Sequence, residues 1–522
     1  PYDAKYGRTL LAILAAMALM VTYVETMVLP AFKQFYIFFD QTGGNFSTIA
    51  WILSAYLLVG VVVTPIFGKL GDLYGKKRML ILVMGVYAFA VTMSGFTPNI
   101  GDAFGVARPN QIYLLIGVRA IQGVGMAMFP LAFSMIPEVF PARRVGQAQG
   151  IVAAMFAAGA SLGLVGGGYL AQTYGWQATY HTVIPIAVTV LILAILLLRE
   201  SSRHANPSLD IPGVASLGFG LATLMFAISQ GSTWGWGTWS AVTYGTVPWG
   251  VPEFFVLAVI GFAFFAYWEP RAKNPVVNFA AMKPRNIWVS NVNGVIAGLL
   301  MFLVFTTETV LIELPFGPGF NQTELQMGLI ALPSTISMLI FGPFLGKFVG
   351  SRGPKPIMAL GFALSAIGAV GLLAFNRSLI DLIVFPSLLL VGNVGVLISM
   401  TNAIVLTADR RELGMQTGMN QTFRNLGSSI APVLVTTILG SFLATYTVLT
   451  PGGPVPFQGY ALEGFRVVFA LTAGLAVAGF LFTIALRNFR YSADGTLHTG
   501  AAPANAPARI PEPAGVSAKP AE

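Results

Sequence analysis

Long apolar runs alternate with short polar connectors over most of this chain, and the runs are about as long as a helix needs to cross a hydrocarbon core, some 20 residues. Bounded by charges and by Gly/Pro clusters, they predict helical spans at 9–33, 47–67, 79–97, 111–137, 146–171 and 180–198. A pair follows at 212–230 and 250–268, then six more at 287–312, 325–346, 357–375, 379–405, 414–441 and 464–486. Barrel strands need only about 10 residues, so the runs read as helices. The expected architecture is an all-α polytopic membrane protein with 14 transmembrane helices arranged 6 + 2 + 6. Residues 1–199 form the first six-helix half and 200–286 a linker carrying the extra pair. Residues 287–490 form the second half, and the Ala/Pro/Gly-rich stretch 491–522 is expected to be a disordered tail. The first apolar stretch, Leu10 to Leu29, is too long for a signal-peptide core and lacks a small-x-small site, so it should remain as the first span.

Composition agrees. The chain is 55% hydrophobic and only 9% charged, with a mean hydropathy of +0.75, whereas soluble domains carry about 25% charged residues. The net charge of +9 sits in the connectors, so it marks topology and not nucleic-acid binding. Placing the even-to-odd connectors and both termini on one side gathers almost every cation there, Lys69, Lys76, Lys77, Arg78, Arg143, Arg144, Lys347 and Arg352 among them. The positive-inside rule then puts both termini in the cytoplasm of a multi-pass protein of the cell membrane. With no cysteine, three scattered histidines and no phosphate-binding glycine loop, neither metal nor cofactor chemistry nor an enzyme is indicated. Trp234, Trp236, Trp239 and Trp249 in one connector read as headgroup-level anchors.

The chain repeats itself. The basic, glycine-punctuated loop Gly68-Lys69-Leu70-Gly71-Asp72-Leu73-Tyr74-Gly75-Lys76-Lys77-Arg78 follows the second run, and Gly346-Lys347-Phe348-Val349-Gly350-Ser351-Arg352-Gly353-Pro354-Lys355 follows the second run after 287. Two related halves explain that register. Asp72 has no counterpart, since Gly350 takes its place.

These residues resemble the major facilitator superfamily, and the span count resembles its fourteen-helix drug–proton antiporter branch. Gly68 to Lys77 fits G-x-L-x-D-x-x-G-[RK]-[RK], and Arg119-Ala120-Ile121-Gln122-Gly123-Val124-Gly125 fits R-x-x-Q-G-x-G. Trp51, Tyr56 and Leu57, the run Asp210-Ile211-Pro212-Gly213, and Arg424-Asn425-Leu426-Gly427 are similar to further signatures of the branch. There are two departures. Leu164 replaces the proline of the fifth-helix antiporter pattern, although Gly159, Gly163, Gly167 and Gly168 keep its helix-packing role. The acidic residue of the first-helix pattern is missing, and Glu25, four residues on, stands on nearly the same helix face.

Ionisable groups inside a span cost roughly 2.5–3.5 kcal/mol on insertion scales and mark function by default. The resemblance makes spans one and four neighbours, so Glu25 and Arg119 are expected to pair and to couple transport to protons. A carboxylate beside a cation ionises readily, while one alone in an apolar cavity holds its proton. Tyr23, Gln122, Glu308 and Arg424 are cavity candidates, with Glu313 placed at the membrane interface near Pro315. Asp72 is expected to form a cytoplasmic gate with Gly68, Gly75, Lys76, Arg78 and Glu138 by binding a helix N-terminus in the other half, which the resemblance implies is that of the helix beginning near Met415. Glu138 and Arg78 are expected to share a charge network. The expected function is secondary active export of lipophilic or cationic drug-like compounds by alternating access, driven by protons and without a cofactor. The partners would be the bilayer, a small-molecule substrate and protons, with the chain a monomer. A lipid or lipid-precursor translocator is the alternative on the same fold, and a non-transporting receptor or scaffold the alternative of another class.

Overall fold

A computed structural model describes residues 3–39, 46–140, 142–200, 210–244, 247–273, 275, 277, 279–280, 282–315, 317–408, 413–450, 453–491 and 497–499; within them a few side chains, Asp72 among them, lie outside the description. The first half comprises α1 (Ala4–Thr26), a 3-10 turn Leu29–Ala31, α2 (Phe32–Phe38), α3 (Phe46–Tyr74), α4 (Lys76–Gly95) and the short α5 (Thr97–Ala103). It continues through α6 (Gln111–Gln122), a 3-10 segment Gly123–Ala127, α7 (Met128–Val139), α8 (Ala142–Tyr174) and α9 (Trp176–Leu197). An accessory pair, α10 (Ile211–Trp234) and α11 (Val251–Trp268), is linked by the hairpin β1 (Val242–Tyr244) and β2 (Val247–Trp249). The second half holds α12 (Arg285–Glu313), α13 (Glu324–Arg352), α14 (Pro354–Ala374), α15 (Leu379–Val405) and α16 (Leu413–Ser441). It ends in the hairpin β3 (Leu443–Thr450) and β4 (Gly453–Tyr460), α17 (Leu462–Ile484), and a small ribbon of β5 (Phe489–Tyr491) with β6 (Leu497–Thr499). That ribbon places a strand where the sequence predicts only disordered tail. Every predicted run falls on helix, and among the described residues eleven helical segments are long and apolar enough to cross a membrane.

Two boundaries differ from expectation for physical reasons. The stretch from Gly68 is no loop. Helix α3 runs on through it to Tyr74, and Gly75 alone breaks it at φ 101° before α4 starts at Lys76. The second half repeats this at Gly353, φ 86°, between α13 and α14. Only a residue without Cβ turns the chain this sharply between two helices. A Cβ on Gly75 would also fall 2.4 Å from Glu200 Oε1, whereas one on Gly68 would meet nothing within 4 Å. Gly75→Ala should therefore cost about 1–3 kcal/mol and lower the melting midpoint in detergent, with Gly68→Ala unchanged. A 3-10 segment interrupts the predicted fourth span, and at its start a Cβ on Gly123 would lie 2.3 Å from Tyr56 O, so glycine lets this backbone approach α3.

Both halves close the same end of the bundle, here called the basic end, with matching clasps. Lys77 Nζ donates to Ile195 O (2.8 Å) and its N–H to Glu200 Oε1 (3.1 Å). In the second half Lys355 Nζ donates to Ile484 O (2.8 Å) and its N–H to Asn488 Oδ1 (3.2 Å). The predicted repeat thus reappears as duplicated hydrogen bonding.

Helix α1 packs on α8 and α12 on α16 within the halves, while α3 meets α16 and α8 meets α13 between them. At the end opposite the basic one, the α8–α13 contact is backbone on backbone. A Cβ on Gly168 would lie 2.4 Å from Glu324 O, and one on Gly328 would lie 2.4 Å from Leu164 O. Leu325 N–H donates to Gln172 Oε1 across the contact (3.2 Å). The halves are therefore sealed together at that end. Helix α10 lies along the other seam, where Trp51 Nε1 of α3 donates to Ser229 Oγ (2.8 Å) and Leu221 and Met225 pack with Val61 and Val433. Asp210 caps α10 and accepts from Trp268 Nε1 (2.7 Å), tying the two accessory helices together.

Candidate functional site

Glu25 lies near the end of α1, 4% exposed, with Oε2 lacking a hydrogen-bond partner. The cations in electrostatic range are Arg424 first and Arg119 second. Arg424 belongs to α16 of the second half, yet its guanidinium stands 5.3 Å from the centroid of the Phe156 ring on α8. A carboxyl of one half and a cation of the other thus share the apolar centre between them.

Arg119 is fully buried at the end of α6, but no bond joins it to Glu25. Its Nε donates to Ile52 O (3.0 Å), its Nη1 to Gln122 Oε1 (2.8 Å), and its guanidinium lies 4.6 Å from the Tyr56 ring centroid. The expected Glu25–Arg119 pair is absent in this conformation because α3 backbone and Gln122 occupy two edges of the guanidinium. Arg119 Nη2, Gln122 Nε2 and the Tyr56 hydroxyl remain without partners, a buried polar cluster with hydrogen-bonding capacity to spare.

Other expected residues fall as follows. Tyr23 is half-buried with its ring against Gly166. Gly159, Gly163 and Gly167 face α1, where Cβ atoms would stand 2.4 Å from Leu19 O, 2.0 Å from Thr26 Oγ1 and 2.7 Å from Met27 Cα. Gly168 instead meets α13. Leu164, in the place of the antiporter proline, is fully buried with its carbonyl against Gly328. Glu308 is 3% exposed with neither oxygen hydrogen-bonded. Glu313 is equally buried within the protein, and its Oε2 accepts the Lys33 N–H (3.4 Å).

At the basic end, Lys76 Nζ donates to Glu138 (2.5 Å) and Ser134 O (3.0 Å). Arg78 does not join Glu138; its Nε lies 3.4 Å from Glu200 Oε2. Two residues along a helix rotate a side chain by about 200°, so Lys76 and Arg78 reach opposite neighbours, α7 and the end of α9. The side chain of Asp72 and that of Met415 lie outside the described residues, as does the expected contact between them.

Sequence reasoning paired Glu25 with Arg119 and named Arg424 only as a cavity candidate, whereas both cations lie within electrostatic range of Glu25. The R-x-L-G run places Arg424 within a span, but which half-crossing partner it meets is decided by tertiary packing.

The Major Facilitator Superfamily description matches residues 14–432, and the chain belongs to that superfamily. It is a multi-pass membrane transporter and not an enzyme. Among similar proteins, an uncharacterized MFS-type transporter YcnB of Bacillus subtilis is 23% identical, over 84% of this chain and 86% of its own. The multidrug transporter protein MdtP of the same organism is 24% identical over 76% of this chain and 70% of its own. The tetracenomycin C resistance and export protein of Streptomyces glaucescens is 26% identical over 84% and 76%. The crystal structure of the human organic anion transporter MFSD10 shares the fold at a TM-score of 0.55 and 16% identity, over 91% of this chain and 99% of that one.

Proposed function

We propose that this chain is a proton-coupled exporter of lipophilic compounds, with fourteen spans and cytoplasmic termini in the cell membrane, working by alternating access between its two halves. The observation that carries this reading is the buried Glu25 carboxyl, lacking a hydrogen-bond partner at Oε2 and within electrostatic range of Arg424 from the other half. Rocking the halves changes the distance from Glu25 to Arg424, and with it the preference of the carboxyl for proton or charge. Drug and antibiotic exporters among the relatives support the direction. In this reading the sealed end is external, and Asp72, with the Lys76–Glu138 pair, belongs to the cytoplasmic gate.

The test is uptake of tetraphenylphosphonium, a lipophilic cation, into reconstituted vesicles with an imposed pH gradient. Accumulation should follow the gradient and collapse on adding a proton ionophore; accumulation indifferent to both would contradict the coupling.

A further inference from the structure

Two buried carboxyl groups meet at the foot of the accessory pair. Asp210, the cap of α10, is 7% exposed, and Glu269, which opens the 3-10 turn Glu269–Arg271 after α11, is fully buried. One oxygen of each is held by N–H donors. Asp210 Oδ1 accepts from Gly213 N–H (3.1 Å) and Trp268 Nε1 (2.7 Å), and Glu269 Oε1 accepts from Val277 N–H. The second oxygens converge on Gly213, where a Cβ would lie 2.4 Å from Asp210 Oδ2 and 2.7 Å from Glu269 Oε2. Only glycine keeps the space between them open. Among the described residues no group donates to Asp210 Oδ2.

The surroundings are apolar. Phe265 and Val277 pack there with Val214, Leu217, Met419 and Phe423, and α10 itself carries no charged residue. Of the cations that follow in the chain, Arg271 folds back over the Tyr267 ring (4.0 Å to its centroid), and Lys273 and Lys283 are exposed. The side chains of Lys69 and Asp72 on α3 lie outside the description. Two ionised carboxylates converging in such a place repel each other, and one proton between them removes the conflict. Asp210, with two N–H donors on Oδ1, is the better carrier of the charge, so the proton falls to Glu269 Oε2 and is donated to Asp210 Oδ2. A carboxyl donating to a carboxylate makes a short, charge-assisted bond.

We propose that Asp210 and Glu269 form a proton-binding site, one proton shared by the two carboxyls, which fastens the linker of the accessory pair onto α16. The fastening follows from Glu269 holding both the proton and the Val277 N–H, because Val277 packs with Met419 of α16. Losing the proton sets charge against charge and frees the Glu269 carboxyl to turn toward water, which takes Val277 from its seat. The clasp is therefore closed at low pH and opens as pH rises. Helix α16 also carries Arg424, so the seating of that helix at the basic end is tied to this proton.

Hydrogen–deuterium exchange of the linker, residues 272–283, tests this in the full-length protein in nanodiscs between pH 5 and pH 9, roughly the range in which buried carboxyls titrate. Glu269→Gln keeps an acceptor for Val277 and offers an amide N–H to Asp210 in place of the shared proton, so its clasp stays closed at every pH. Comparing the two proteins at the same pH cancels the intrinsic pH dependence of exchange. Their linkers should exchange alike at pH 5, and the wild-type linker at least tenfold faster at pH 9. The second readout is the infrared carbonyl band of a protonated carboxyl, which should be lost from Glu269→Gln. It should be lost from Asp210→Asn as well, because the new amide donates to Glu269 and displaces the proton. Linkers that exchange alike at pH 9, or a band that survives either substitution at full strength, overturn the proposal.

Discussion

Glu25→Gln should abolish accumulation while leaving the fold intact. If one proton exchanges for one substrate cation, a gradient of one pH unit sustains about tenfold accumulation, equivalent to 1.36 kcal/mol. In the Gln variant the ratio should fall to one, because an amide neither takes a proton nor answers Arg424. The substitution is nearly isosteric, and Oε2 has no bond to lose, so the melting midpoint should hold within about 0.5 kcal/mol. Arg424→Gln should also uncouple transport, since it removes a cation of the other half that lies within electrostatic range of Glu25. Arg119→Gln is expected to lower stability as well, because Ile52 O and Gln122 Oε1 both lose their donor. Vesicle uptake together with thermal melting separates the three.

The second large effect is structural. Gly163→Ala introduces a Cβ 2.0 Å from Thr26 Oγ1 and 2.5 Å from Tyr23 O, and the latter is backbone that cannot rotate away. Thr26 also donates to Ala160 O (3.1 Å), so displacing it removes a bond between α1 and α8. Overpacking of this kind costs about 1–3 kcal/mol, and it pushes away the very helix that carries Glu25. Both a lower melting midpoint and impaired coupling are expected. Gly166→Ala, whose Cβ would first meet the Tyr23 ring at 3.4 Å, should change neither beyond about 0.5 kcal/mol.

The all-helical class and the order of the long runs were legible because a membrane span writes itself as an uninterrupted apolar run, and eleven helical segments among the described residues are long and apolar enough to cross. The duplicated turn was legible for a similar reason: Gly75 and Gly353 mark positive-φ breaks that other residues rarely adopt. The same glycines concealed how far α3 and α13 extend, since polar residues look like loop whether or not the backbone stays helical. The hairpin β3–β4 was not legible from long apolar runs, although Thr445, Thr447 and Val448 precede the sequence Pro451-Gly452-Gly453, because short strands do not write themselves as such runs. Within the site, Glu25 and Arg119 stood out as costly embedded charges. The bond that Arg119 donates to Ile52 O did not, because its acceptor is a backbone group that every residue owns, and the same holds for the Lys33 N–H that donates to Glu313. The proximity of Arg424 to Glu25 depends on how the two halves dock, which no local pattern records.

The central claim is that substrate and proton compete through Glu25, and proton release on binding tests it most directly. Tetraphenylphosphonium is added to the detergent-purified protein in weakly buffered solution near neutral pH, and the pH change is followed with an indicator dye. Wild-type protein should release protons in proportion to bound cation, and Glu25→Gln should bind without releasing any. Equal release from both proteins, or binding by the wild type with no release across the pH range from 5 to 9, roughly the span in which buried carboxyls titrate, would contradict it.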